Sequence, residues 1–140
     1  MPNLELYSVR DNCVQDKAGL NWGFSSGHVC IADAYIALTT EFFRYNINFF
    51  PGHGSTIITR WDDGREIVCL LEGTQFIEGS IYPKQISSYE DKSELGYYLR
   101  GRLGVSDTHH ISMEDLENYG RDFVSVSHIE DNIYYFDFSV

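Results

Sequence analysis

The sequence predicts an α+β domain of mostly antiparallel strands with two short helices, and three observations predict it. Most apolar runs are short and alternate with polar residues, the period of a half-buried strand. Two segments, Asp91 to Val105 and Ser112 to Gly120, change to helical spacing with capping residues at their ends. The order runs strands, then these helices, then a strand pair, so the two classes are segregated along the chain. No linker, repeat or low-complexity run divides the 140 residues, which suit one domain, 1–140, with its own core.

Each element has a local reason. "LELYSV" (Leu4 to Val9) alternates like a strand. Arg10 to Ile31 is long and irregular. Within it "GLNWGFSSGH" (Gly19 to His28) is too short of alternation for a strand and too rich in glycine for a helix, so it reads as an ordered loop with one bulky anchor, Trp22. "ADAYIAL" (Ala32 to Leu38) reads as a buried strand. "TTEFFRYNINFF" suits a short helix with Thr40 as cap, ended by "PGHG". "STIITRW", "DDG" and "REIVCLL" form a hairpin signal. "TQFIEGSIYPKQIS" fits a strand pair, or one bent strand broken at Gly79, and Pro83 argues for an edge. Leu95, Leu99 and Leu103 lie four apart on one helical stripe that Gly104 ends. Ser112 with Asp115 three residues on caps a second helix that stops before Gly120. "DFVSVSH" and "NIYYFDF" close the chain as a hairpin around "IEDN". A partly closed barrel is one arrangement such strands can take.

Composition bounds the function. Apolar residues are 43% and aromatics 15%, so the chain is globular rather than disordered. No run approaches the roughly 20 apolar residues of a membrane span. The start, "MPNLELYSVRDN", has no basic end followed by an apolar run. Cys13, Cys30 and Cys69 lie far apart, in a spacing that fits neither a zinc knuckle nor a disulfide framework. They read as reduced, mostly buried thiols, and the expected location is cytoplasmic. Net charge is −11, with eight acids against one arginine, Arg121, after Val105. Nucleic-acid binders usually carry a basic surplus. Any phosphate contacts must therefore come from a local patch in the first two thirds, with the acidic last third turned away or facing another partner.

Seven pieces in order then carry a resemblance: "AGLNWG", "DAYIAL", "FFPGHG", "DDGREI", "SELGYYLRGRLGV", "SMEDLENYGRDF" and "YYFDFS". The chain resembles, from about Leu6 to Ser139, the C-terminal DNA-recognition domain of phospholipase-D-type restriction endonucleases, the NgoFVII group. The resemblance implies a DNA-binding pseudobarrel like the plant B-three transcription-factor domain, in a bacterial restriction-modification or defence setting. It implies two arms that grip the major groove of double-stranded DNA. By position the N-arm spans about residues 21–30 and the C-arm about 72–85.

On that reading Asn21 and Trp22 form the base of the N-arm, and Ser25, Ser26 and His28 its tip. Trp22 equally suits a plug packed on the core, with Asn21 bonded to backbone. Arg10, Lys17, Arg60, Arg65, Lys84 and Lys92 are the candidate phosphate rim, which positions without reading. An ordinary solvated surface, with Arg65 paired across its hairpin, would use the same residues. Gln75, Gln85 and Asn12 can each bond adenine bidentately. Arg100 and Arg102 point to different helix faces and are expected to link to the acidic last third. Tyr119, Arg121 and Asp122 read as a packing unit at a helix end.

The sequence departs from the family pattern in its loop. Gln-Arg and a further arginine are replaced by Phe24, Ser25 and His28, which removes the guanidinium forks that suit guanine. The His-x-Lys of phospholipase-D chemistry is also missing after His28, His53, His109, His110 and His128. Glu66 has Val68, not lysine, two residues on, so "DDGREIVCLLEG" reads as a turn rather than a metal site. His109-His110 reads as a solvated loop. No catalytic residue, metal or cofactor is expected, and the chain reads as a recognition domain alone or cut from a longer enzyme. A separate nuclease subunit or another protein is a candidate partner, and no membrane is. The alternative is an acidic protein-interaction module on the same fold, either a subunit of a defence complex or an inhibitor that mimics DNA.

Overall fold

The computed structural model describes residues 1–140. Its elements are β1 (Asn3–Glu5), a 3₁₀ helix (Gly19–Phe24), β2 (Ile36–Ala37), α1 (Thr40–Tyr45), β3 (Thr56–Trp61) and β4 (Glu66–Glu72), followed by β5 (Gln75–Ile77), β6 (Ser80–Tyr82), β7 (Gln85–Ser88), α2 (Lys92–Leu103), α3 (Met113–Tyr119), β8 (Phe123–Glu130) and β9 (Ile133–Asp137). Seven strands form one sheet in the order β1-β8-β9-β3-β4-β7-β2. Every neighbouring pair is antiparallel except β3 and β9. The two edge strands, β1 and β2, approach each other, so the sheet curls into a nearly closed barrel. A cavity of about 270 Å3 remains at that seam. The α+β, mostly antiparallel pseudobarrel expected from the sequence is thus the observed fold.

Alternation along the strands builds the core. Ile67, Cys69 and Leu71 of β4 point inward and are buried, while Glu66 and Val68 are exposed. Ile57 and Trp61, Val124 and Val126, and Tyr134 and Phe136 do the same for β3, β8 and β9. One barrel end is plugged by Phe42, Phe50 and Tyr134, with ring centroids 5.0–5.7 Å apart along that chain. The other is closed by Trp61 against Tyr98 and Phe136, at 4.9 and 5.2 Å, with Tyr119 stacked on Phe138 at 4.4 Å. Leu95, Leu99 and Leu116 lie fully buried beneath α2 and α3.

Helix ends follow the chemistry read from the sequence. Asp91 accepts from the Ser93 N–H to start α2, and Gly104 ends it at φ +74°. Ser112 and Asp115 form the full capping box of α3. For α1 the cap is Thr39, not Thr40: Thr39 Oγ1 accepts from the Phe42 N–H at 3.1 Å.

Four expectations are corrected. "LELYSV" gives only β1 as a strand, because the chain turns back at Ser8–Cys13 with Asn12 at φ +54°. "ADAYIAL" gives only β2, because the Ala34 and Tyr35 N–H groups donate to Lys92 O and Gly19 O instead of a ladder. "GLNWGF" is a 3₁₀ helix rather than a loop. Only Cys69 of the three free cysteines is buried; Cys13 is exposed and Cys30 half-buried. Burial pushes the Cys69 thiol up to about 12, so it stays protonated. No helix is long and apolar enough to cross a membrane.

Candidate nucleic-acid interface

The first expected arm rests on a rigid base. The Asn21 side chain is fully buried. Its Nδ2 donates to Gln15 O at 2.9 Å and Ile111 O at 2.8 Å, and its Oδ1 accepts from Ile111 N–H at 2.9 Å. The amide ties the loop to a segment 90 residues away. Gly23 is required by close approach: an added Cβ would lie 2.1 Å from Ile31 O. The returning turn at Cys30–Ile31 therefore lies directly on the 3₁₀ helix, and Gly23 N–H donates to Asp33 O.

Above that base, Trp22 is half-buried and meets His28 and Tyr35 edge-on, with centroids 4.5 and 5.2 Å away. His28 Nδ1 sits 2.7 Å from Asp33 Oδ2, with both side chains mostly buried. This contact fixes the ring and leaves Nε2 unengaged. Ser25 Oγ donates to Trp22 O at 2.7 Å, so it closes the turn. Ser26, Gly27 and Val29 are exposed, and Val29 is wholly bare.

The second expected arm is a small hairpin. β5 and β6 pair antiparallel across Glu78-Gly79, both at positive φ (49° and 84°). That is the signature of a two-residue I′ turn. Ile77 and Tyr82 face α1, where Tyr82 stacks on Phe43 at 4.7 Å. Gln75 Nε2 donates to Leu38 O and Pro83 O, each at 2.8 Å, so both its donors are engaged. Lys84 is exposed, and its stem lies over Gly73, 3.2 Å from where a Cβ would be.

The ladder joins these segments. The first leads into β2 and the second into β7, and β2 pairs with β7 through Ile36↔Ile86 and Ala37↔Gln85. They therefore enter one antiparallel strand pair from its opposite ends. Beside that strand pair Lys92 Nζ donates to Glu72 at 2.8 Å and to Ser87 Oγ at 3.0 Å. Burial would raise the Glu72 carboxyl, but Lys92 and Ser87 outweigh it and hold it below its ordinary value.

A nearly closed pseudobarrel with these two segments on one strand pair coincides with a sequence match. Over residues 3–130 the chain matches the family of the NgoFVII C-terminal B3-like DNA-binding domain. The chain belongs to this family. No curated protein matches it as a relative.

The B3-like domain distributes its cations unevenly. Arg60 and Arg65 lie by the β3–β4 turn, at the opposite end of β4 from the hairpin, paired with Glu66 and with Glu94. Arg65 thus reaches α2, not an acid across its own hairpin, and stands apart from the other candidate contacts. Arg10 is exposed and pairs with its neighbour Asp11 at 3.3 Å. Asn12 is exposed in the same turn. Gln85 is half-buried, and its side chain bonds the Glu72 carboxylate across the β4–β7 ladder. The exposed cations outside any ion pair are Lys17, Lys84 and Arg44. Arg44 was missed by sequence reasoning. It lies on α1 in a groove shared with Glu78 and Ser80 of the hairpin. The helical pattern "EFFRY" already put it on the face opposite the buried Phe42 and Phe43.

Arg100 and Arg102 are structural and do bond the last third, but through its carbonyls and a tyrosine hydroxyl rather than its acids. Arg100 is fully buried and donates to the carbonyls of His109 and Leu20 at 3.0 and 3.3 Å. Arg102 makes a bidentate pair with Asp62 of the β3–β4 turn, at 3.0 and 2.8 Å. It also donates to Tyr98 Oη, Tyr119 Oη and Phe138 O. Arg121 packs over Phe123 and pairs with Asp137, as a helix-end unit should. His109 bonds Asp115, and His110 bonds Asp16 O.

Proposed function

We propose that this B3-like domain reads a short or modified site in double-stranded DNA through two major-groove arms, residues 21–30 and 72–85, and catalyses no reaction itself. The observation that carries the reading is that the two segments enter one antiparallel strand pair, β2–β7, from its opposite ends. Two projections at opposite ends of one strand pair can enter a groove together, whereas projections from unrelated faces cannot.

Lys84, Lys17, Arg10 and Arg44 supply phosphate contacts. Ser26 and His28 through Nε2 face base edges, while Gln85 is held by Glu72. Asn21, Trp22, Ser25 and Gln75 hold the arms in shape. Cleavage falls to a separate nuclease subunit or a nuclease region, within a bacterial cytoplasmic defence system. So few free cations predict modest, salt-sensitive affinity.

Selection from a random duplex pool, followed by anisotropy at low and near-physiological salt, tests this. A consensus that still binds at the higher salt is expected. No enrichment, with binding that salt abolishes, would overturn site reading. The charge of −11 supports a second reading, an acidic protein-interaction module on the same fold. In that case duplex selection fails, and a protein partner competes with no DNA.

A further inference from the structure

The proposed arms carry apolar side chains where a reader of guanine would carry arginine. β5 and β6 are three residues each, and one face of the hairpin is taken by Ile77 and Tyr82 against α1. The opposite face normally meets water and takes polar residues. Here it presents Phe76 and Ile81 directly across from each other, 74% and 50% exposed. The rigid two-residue turn fixes that pair at the hairpin tip. On the other arm Val29 is 103% exposed, next to the anchored His28. Neither segment holds an arginine, and Lys84 is the one cation within them. Scattered exposed apolar residues are ordinary. An opposed apolar pair on one arm and a bare valine on the other form a recognition chemistry, because both segments flank the same strand pair.

In the major groove the apolar feature of base edges is the C5-methyl group, borne by thymine. Adenine opposite thymine is matched by a side-chain amide. Gln85, at the end of the second arm, has its amide bonded to the Glu72 carboxylate across the β4–β7 ladder, so adenine readout is left to other contacts. Guanine would call for an arginine or lysine fork that the arms lack.

We infer that the arms recognise thymine methyl groups in A·T pairs, through Val29 on one arm and the Phe76–Ile81 pair on the other. This rests on the DNA-reading function proposed above. A protein interface would want one contiguous apolar patch, whereas here the apolar groups are divided between two segments.

Parallel selections test it, with random duplex pools made with thymine, with uracil in place of thymine, and with 5-methylcytosine in place of cytosine. Uracil differs from thymine only by the methyl. Enrichment is expected from the thymine pool, and the recovered duplex should lose about fourfold in affinity per critical methyl when remade with uracil, the effect of one methyl-sized burial. In Val29→Ser and Phe76→Ser the thymine-to-uracil affinity ratio should fall towards one. Both positions are exposed, and circular dichroism confirms folding. Equal binding of thymine and uracil duplexes would overturn the methyl inference and leave DNA reading intact. Enrichment only from the 5-methylcytosine pool would overturn the thymine assignment. Failure to enrich any pool would overturn DNA reading itself, and the inference with it.

Discussion

The two ends of the barrel use charge in opposite ways. At the end closed by α2 and α3, Arg102 is held by Asp62, two tyrosine hydroxyls and the Phe138 carbonyl, and Arg100 by backbone carbonyls. At the hairpin end Lys92 is paired with Glu72, but Lys84 and Arg44 are exposed and make no ion pair. Six of the ten basic residues are in ion pairs with the chain's own acids, and Arg100 is buried, so a count of arginines overstates what a polyanion can meet. Position in the fold, not composition, separates cations that hold the barrel from cations free to bind.

The strongest way to break this contrast is Arg102→Ala. It leaves the Asp62 carboxylate, mostly buried, without its partner, so stability should drop by about 3–5 kcal/mol in urea denaturation. The same pair shapes the acid response. Burial would raise the Asp62 carboxyl, but Arg102 and the Phe138 N–H hold it below its ordinary value. The unfolded chain then takes up the proton at higher pH than the folded one, so the Asp62 contribution to stability is present above pH ~4 and is lost as pH falls further. Arg102→Ala should make that decline shallower, and a Tm series against pH would record it.

Asn21→Ala is next in size. It strips one N–H and two carbonyls of partners, most of them buried, and should cost about 1–3 kcal/mol. Hydrogen exchange should show lost protection from Trp22 to Asp33 first. The smallest effect sharpens the other side of the contrast. Lys84→Ala should leave Tm unchanged, weaken binding to all duplexes alike, and reduce the salt slope by about one. An unchanged salt slope would remove Lys84 from the phosphate contacts.

Local chemistry made the long elements legible. The four-residue leucine spacing, the Ser112–Asp115 box and the two closing glycines placed α2 and α3. The Asp-Asp-Gly turn placed β3 against β4. The 3₁₀ helix escaped because its glycines looked like breakers; Gly23 is there for the close passage of Ile31, which no local pattern records. The Gln75 amide looked like a base reader, and the partners of the Asn21 amide stayed unnamed, for a related reason. Their acceptors are the carbonyls of Gln15 and Ile111, and of Leu38 and Pro83, and some of these lie far away in sequence. The arm boundaries were legible only through family resemblance, and Val29, Phe76 and Ile81 were passed over because charge was sought there.

The parallel pairing of β3 with β9 has a consequence for how the protein is made. More than half the chain lies between Ile58 and its partner Ile133, and β1 likewise waits for β8. During synthesis the strands beneath the proposed arms, β2, β4 and β7, can find one another while β8 and β9 are still in the ribosome. Until those two emerge, β1 has no neighbour and β3 keeps an open edge. Barrel closure is therefore a late, long-range event of the kind that folds slowly. A stalled nascent chain would present a bare β3 edge to others, and its first hazard is association with a second copy rather than loss of the arms.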